Sequence, residues 1–258
     1  MIKIATLNLR NNDTNRKDGI RQDGKNNYEI VLNHILDEKF DILGTQELTK
    51  NFSRYLTKNL NDYILHGKYR FSSNKLILKI KLLKKFNESN DIITYHKVTK
   101  KYTKHLPSVP TNFKDFIKMF KDKKLCVPRI VTVVITKING QDICIINTHL
   151  DYRFKSVQLR QLKAINKLID KYKDKYNIVL TGDFNMDLSM EHFNEFINGL
   201  KNKGISRVEV NDKTNGSNHR NETAIDHIFI PSNWKVINKG TRKIDKVTDH
   251  KEVYVEVS

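Results

Sequence analysis

Asn8, Glu47, His149, Asp183, Asn185, Asp226, Asp249 and His250 each stand at or just beyond the end of an apolar run. The runs read Ile4-Ala5-Thr6-Leu7-Asn8, Ile42-Leu43-Gly44-Thr45-Gln46-Glu47, Ile145-Ile146-Asn147-Thr148-His149, Val179-Leu180-Thr181-Gly182-Asp183-Phe184-Asn185, Ala224-Ile225-Asp226 and Val247-Thr248-Asp249-His250. Strands that deliver carboxylates, amides and imidazoles at their tips can build a rigid hydrolytic centre. Hydrolysis of a phosphoester needs positive charge on the phosphoryl oxygens, an aligned water and a base to activate it.

These residue types suit those tasks. A hard divalent ion prefers carboxylate and amide oxygens, and Glu47 can supply one; the same residue could instead cap the helix that follows it, where an acid favours the dipole. His250 is a candidate general base, because a neutral imidazole of fixed tautomer and ring angle takes a proton from water near neutral pH. Successive strand residues point to opposite faces, so Asp249 and His250 do not readily share one hydrogen bond. Asp183 and Asn185, two apart, share a face if the strand continues through them. Gly182-Asp183-Phe184-Asn185 is also a common turn sequence, and a lone strand-end histidine such as His149 is often only structural.

The positioning elements alternate in type. Strands are expected at 2–8, 40–46, near 62–66, at 75–83, 129–137, 142–148, 177–181, near 205–210, 224–230, 234–238 and 252–257. Helical spacing marks 27–38, 49–60, 156–173 and 190–200, the third with Val157, Leu159, Leu162, Ile165, Leu168 and Ile169 facing inward. Asn139-Gly140 is a two-residue hairpin turn. Residues 84–128 hold Pro107, Pro110 and an amphipathic piece from Phe113 to Phe120, read as one or two edge strands plus a substrate-contacting insertion. Hairpins mixed with crossover helices predict an α/β fold of two packed sheets flanked by helices, and with no linker-like tract the 258 residues are read as one domain.

Composition narrows the partners. The net charge of +18 attracts polyanions. Lys outnumbers Arg, the better bidentate phosphate ligand, so the field is not tuned for forked phosphate contacts. No run is long enough and apolar enough to span a bilayer. The start, Met1-Ile2-Lys3-Ile4, enters strand-like sequence without the order of a signal peptide, so a cytoplasmic location is the expectation. Cys126 and Cys144 form no disulfide framework or zinc spacing; Cys144 is expected to be buried.

Taken in order, Asn8, Gln46-Glu47, Asn147-Thr148-His149-Leu150, Gly182-Asp183-Phe184-Asn185, Asp226 and Asp249-His250 resemble the endonuclease/exonuclease/phosphatase superfamily along nearly the whole chain. The resemblance implies a four-layer α/β sandwich of two mixed sheets with the active site at one sheet edge, and a Mg²⁺- or Mn²⁺-dependent phosphoester hydrolase using one or two ions. It implies Glu47, Asn8 and Asp249 for the metal and His250 as base oriented by Asp226 rather than by its neighbour Asp249. Asp183 holds the attacking water or a second metal, while Asn185 and His149 contact phosphate oxygens. Arg129 resembles an arginine aimed at substrate phosphate. Asn74 stands where some relatives place a Glu supporting the first histidine, a departure that leaves the partner of His149 open. His227 follows Asp226 where some relatives carry Arg and is read as packing. Nucleic acid is the favoured substrate class. Inositol phosphates, nucleotides or lipid headgroups are the alternative, although Ala224-Ile225-Asp226-His227 departs from the Trp-Cys-Asp-Arg stretch of the inositol 5-phosphatases. A non-enzymatic protein that keeps the fold to bind nucleic acid or an anionic surface is the third reading. No obligate protein partner is implied.

Overall fold

Among the described residues twelve strands pair into two sheets, and most are runs of Ile, Val and Leu with one face or both buried. The computed structural model describes residues 1–9, 19–20, 23–71, 87–121, 126–210 and 223–258. Asn74, the alternating stretch 75–83, and much of the 11–26 and 211–222 loops lie outside the described residues. The strands are β1 (Ile2–Asn8), β2 (Ile42–Gln46), β3 (Ile64–His66), β4 (Ile92–Thr94), β5 (Val98–Leu106), β6 (Arg129–Ile138), β7 (Gln141–His149), β8 (Asn177–Asp183), β9 (Ile205–Arg207), β10 (Asp226–Pro231), β11 (Val236–Arg242) and β12 (Glu252–Val257). One six-stranded sheet runs β11-β12-β1-β2-β4-β3, the other β5-β6-β7-β8-β10-β9. Both are mixed: β1/β2 and β7/β8 are parallel, and the remaining pairs antiparallel.

The helices are α1 (Asn27–Glu38), α2 (Lys50–Asn59), α3 (Phe113–Lys121), α4 (Lys155–Tyr172) and α5 (Glu191–Lys201). Asn26 and Thr49 start α1 and α2 by accepting from backbone N–H groups two and three residues on. Between the sheets lies a dry layer that includes Ile4, Ile42, Val134, Ile145, Val179, Ile228 and Val255. α1 and α2 cover the outer face of the first sheet through Val31, Ile35, Phe52 and Leu56. α4 and α5 cover the second through Leu162, Ile165, Ile169, Phe193 and Leu200. The order helix, sheet, sheet, helix is the four-layer sandwich that the resemblance implies.

Near one end the apolar layer gives way to a polar bolt. Gln46 Nε2 donates to Asn147 Oδ1 across the sheets at 2.8 Å, Thr181 Oγ1 donates to the same oxygen at 3.1 Å, and Asn147 Nδ2 donates to the carbonyls of Thr45 and Asp91, each at 2.9 Å. A side chain at Gly44 would place Cβ 2.3 Å from Thr181 Oγ1, so the glycine lets the sheets approach here.

Several boundaries shift. The 84–128 region contains β4, which lies inside its sheet, and β5, a nine-residue edge strand. The amphipathic piece is α3. Leu159, expected inward, is 43% exposed, because α4 buries Gln158 and Gln161 beside it instead. Strand 205–210 stops at Arg207, and 234–238 becomes Val236–Arg242. No helix among the described residues is long and apolar enough to cross a membrane.

Candidate active site

Topology alone brings the predicted tips to one end. β1, β2, β7 and β8 deliver Asn8, Glu47, His149 and Asp183 at or beside their C-terminal ends. The strands antiparallel to them begin there: Asp226 opens β10 opposite Asp183, Arg129 opens β6 beside β7, and Asp249-His250 precede β12, which pairs with β1. Seven of the predicted side chains are thereby linked through short contacts around Asp183.

Asp183 is the hub. Its Oδ2 accepts from Asn8 Nδ2 at 2.9 Å and lies 3.6 Å from His149 Nε2 and 4.0 Å from His250 Nε2, while Oδ1 accepts from the Asn185 backbone N–H at 2.9 Å. Asn8 Nδ2 also lies 3.4 Å from Glu47 Oε1, so the amide bridges two carboxylates. Gly182 before Asp183 has φ of 151°, and a Cβ there would meet the Thr148 carbonyl oxygen at 2.2 Å, which explains the glycine in this tip. Asn185 turns left-handed with φ of 52° and donates to the Leu150 carbonyl at 2.9 Å. Glu47 is left-handed too, at φ of 57°, a conformation that costs a non-glycine residue about 1 kcal/mol and is commonest at functional sites. The Leu48 backbone, paired with Ser89, holds it there.

The His250 ring is clamped from one side. Asp226 Oδ2 accepts from Nδ1 at 2.8 Å, leaving Nε2 facing Asp183, with Asp249 Oδ1 3.9 Å away. Thr248 secures the segment, its hydroxyl donating to the Asn8 carbonyl at 2.8 Å and accepting from the His250 N–H at 3.2 Å. Asp249 lies in the bend before β12 and approaches Nε2 of the same ring, while Asp226 takes Nδ1.

One contributor was invisible as a pattern. Arg70, buried, places Nη2 3.4 Å from His149 Nδ1 and Nη1 3.1 Å from Glu88 Oε2. A guanidinium only donates, so Nδ1 of His149 accepts and the ring hydrogen sits on Nε2, facing Asp183. His105 Nε2 donates to the Arg70 carbonyl at 2.7 Å and fixes that backbone. Arg129 is also buried, its backbone N–H donating to Ser108 Oγ at 2.9 Å. Burial, and then Arg70, pushes its guanidinium down to about 10, and Asp151, Glu47 and Asp183 oppose that. His227 packs among Phe184, Phe193 and Phe229, and its Nε2 donates to the Met186 carbonyl at 2.9 Å. Asn74, outside the described residues, has no placement here.

Electrostatics show what the cluster lacks. Burial, and then the charge of Asp226, push the Asp183 carboxyl up to about 7. Although burial opposes it, the carboxylates of Asp226, Asp183 and Asp249 raise His250 to about 10. Four carboxylates, of Glu47, Asp183, Asp226 and Asp249, therefore converge on one site. Asp183, Asp226 and His250 offer ligand atoms within 4.8 Å of one another. Oxygen-rich donors with surplus negative charge fit a hard divalent ion. His250 contacts Asp226 Oδ2, and Glu47 and Asp249 add carboxylate oxygens to the same cluster.

A pH prediction follows from those shifts. An Asp183 pKa above its unfolded value removes stability as pH rises from the ordinary carboxylate range through about 7. A raised His250 contributes stability below its unfolded pKa, and this is lost as pH climbs toward about 10. Both signs agree. Thermal melts of chelated protein should fall in midpoint from pH 5 to 9. Mg²⁺ at about 100 times its Kd should restore roughly 5–10 °C, most at the alkaline end; a midpoint indifferent to both pH and Mg²⁺ contradicts this electrostatic account.

Comparison with known proteins agrees with the architecture. The Endonuclease/Exonuclease/phosphatase family pattern matches residues 5–250. A mannosyl-6-phosphatase of Bacteroides thetaiotaomicron superposes with a TM-score of 0.74 at 22% identity, covering 100% of both chains. A family protein from Leptotrichia buccalis gives 0.69 at 16%, again over 100% of both. The human nocturnin catalytic domain, solved with a sulfate anion, gives 0.68 at 15%, over 100% of this chain and 94% of its own. No curated protein sequence matches significantly. At these identities the solved structures speak for the fold.

Proposed function

The chain belongs to the Endonuclease/Exonuclease/phosphatase family, and from that premise we propose a divalent-cation-assisted phosphoester hydrolase that activates water through His250. The observation that carries the reading is the clamped ring: Asp226 holds Nδ1 at 2.8 Å, and Nε2 faces the Asp183 and Asp249 carboxylates. A base must present its free nitrogen at a fixed angle to the water it deprotonates, and this arrangement supports that.

Each remaining residue has a task. Glu47, Asp249 and Asn8 hold Mg²⁺ or Mn²⁺, as one ion or part of a pair, with the Asn8 amide presenting its oxygen. When bound, the cation supplies charge neutralisation to the phosphoryl oxygens. Its presence beside Asp183 and Asp249 also offsets the charges that hold a proton on His250. Asp183 positions the water, Asn185 and the Nε2–H of His149 donate to phosphoryl oxygens, and Arg129 with Arg70 gives the buried positive wall behind them. Nucleic acid is the first substrate class, favoured by the +18 charge, which concentrates polyanions around the molecule. Lipid-headgroup phosphodiesters are the second reading, favoured by the exposed apolar side chains of α3. A fold-retaining binding protein fits less well, because base, orienting carboxylate and metal carboxylates all persist.

A panel of DNA, RNA, inositol phosphates, sphingomyelin and bis-p-nitrophenyl phosphate, each with Mg²⁺, Mn²⁺ and chelator, tests the class. Chelator-sensitive hydrolysis is expected; intact substrates together with tight, salt-sensitive DNA binding favour the binding protein. Glu47→Gln should shift the Mg²⁺ activation midpoint roughly ten- to hundredfold upward, and an unmoved midpoint removes Glu47 from the metal shell.

A further inference from the structure

Helix α3 is built inside out. Its polar Asp115 faces the protein, with Oδ2 accepting from Ser156 Oγ at 2.5 Å and from the Ser156 N–H at 3.2 Å. One turn on, Met119 Sδ lies 3.3 Å from Cys126 Sγ. Phe113 and Ile117, half a turn away, point outward with Phe116 beside them, and Phe113 is 78% exposed. Val109, just before the helix, is 56% exposed. A contiguous exposed apolar ridge on a folded protein ordinarily marks an interaction surface.

Cations surround the ridge. Lys114, Lys118 and Lys121 run along one flank of α3 itself. Arg160, whose Nη1 donates to the Val109 carbonyl at 2.7 Å, opens a groove of about 840 Å³ between β5 and α4. Lys104, His105, Lys163, Lys167 and Lys171 line that groove together with apolar carbons of Tyr102, Leu106 and Leu168, and among the described residues no carboxylate lines it. The 107–112 segment that carries α3 is stitched to the active-site end: Gln161 donates to the Pro107 carbonyl and accepts from the Asp151 N–H, each at 2.8 Å, and Ser108 Oγ accepts from Arg129.

We infer that α3 and the adjoining basic groove form a docking face for an anionic lipid membrane, which the protein meets with its active-site end. Lipid offers hydrocarbon to Phe113, Phe116 and Ile117 and anionic headgroups to the lysines at once. Duplex nucleic acid matches the lysines but leaves the apolar ridge in water. A second copy matches the ridge but brings another +18 charge against the same lysines. The inference concerns where the protein works and stands whichever phosphoester it cleaves.

Co-sedimentation with vesicles tests it. Wild-type protein should bind phosphatidylcholine/phosphatidylserine vesicles and bind pure phosphatidylcholine at least tenfold less. Phe113→Ser/Phe116→Ser should weaken binding about tenfold with its salt dependence retained. Lys163→Glu/Lys167→Glu should weaken it at least tenfold and flatten the salt dependence, since each basic group near an anionic leaflet contributes about fivefold. Melting midpoints of both variants should match wild type, and hydrolysis of soluble bis-p-nitrophenyl phosphate should be unchanged where wild type hydrolyses it. Failure to bind anionic vesicles, or binding indifferent to the Phe113/Phe116 change, overturns the inference. So does a dimer abolished by that change, or an oligonucleotide complex that needs both phenylalanines. Vesicle binding is read without turnover, so absence of hydrolysis overturns the proposed activity and leaves this face standing.

Discussion

His250→Ala is expected to lower turnover about 10²- to 10⁴-fold, because one change removes both the base and the group that fixes the water. The Nε2 side faces Asp183 Oδ2 and Asp249 Oδ1, and no other described imidazole shares that position; His149 Nε2 approaches Asp183 as a donor instead. Alanine also removes the His250 contact from a fully buried carboxylate, so stability should fall with activity. His250→Gln keeps a donor within reach of Asp226 but supplies no base, and separates the two effects: it should melt closer to wild type and remain as inactive. Added imidazole should partly rescue His250→Ala. Activity within roughly a tenth of wild type in the glutamine variant, once its melting midpoint is matched, removes His250 from the base role.

Asp226→Asn provides the graded control. An amide still contacts Nδ1 but no longer favours the imidazolium or fixes the donor tautomer, so the pH–rate profile should move to lower pH along with a reduced kcat. A loss of kcat with an unmoved profile would mark Asp226 as structural only.

The tips were legible because each chemical residue terminates an apolar run, and parallel strands within each sheet must carry their C-terminal ends to one side. Asn8 and Glu47 come together for that reason, as do His149 and Asp183, and the packing of the two sheets then joins the pairs. The pairing of His250 with Asp226 instead of Asp249 came from the resemblance, since residues 24 apart carry no local signal. Arg70 was missed because Lys68-Tyr69-Arg70 looks like any other basic stretch in a chain with 47 Lys and Arg residues. Only its burial against His149 and Glu88 separates it from the solvated ones. Asn147 sits within a run that resembles a catalytic signature, yet its amide joins the two sheets, a task with no one-dimensional trace. Periodicity revealed that 113–120 is amphipathic but could not say which face looks outward. Leu159 failed for a related reason: its spacing on α4 fits the inward stripe, and Gln158 and Gln161 took those buried places to bind the Asp151 and Pro107 backbone.

Asp183→Asn should separate stability from catalysis more sharply than any other single change. Asp183 is fully buried beside Asp226, and its carboxyl, pushed up to about 7, resists ionising in the metal-free protein. Replacing it by a neutral amide removes that penalty but sets an NH2 group against one of the two donors, Asn8 or the Asn185 N–H, so the chelated variant should melt near wild type at pH 8, and its midpoint should depend less on pH. The same change withdraws the oxygen on which Asn8, His149 and His250 converge, so turnover should fall about 10³-fold or more. The Mg²⁺-induced rise in melting temperature should shrink, because a carboxylate that is costly alone is useful only once a cation neutralises it. Parallel melts with chelator and with Mg²⁺ across pH, set beside initial rates on a soluble diester, measure all three. A variant that melts far below wild type in chelator at pH 8 would mean that Asp183 is held by its hydrogen bonds more strongly than it is opposed by Asp226. The carboxylate cluster would then be a structural network, and the argument for a cation drawn in by surplus negative charge would lose its basis.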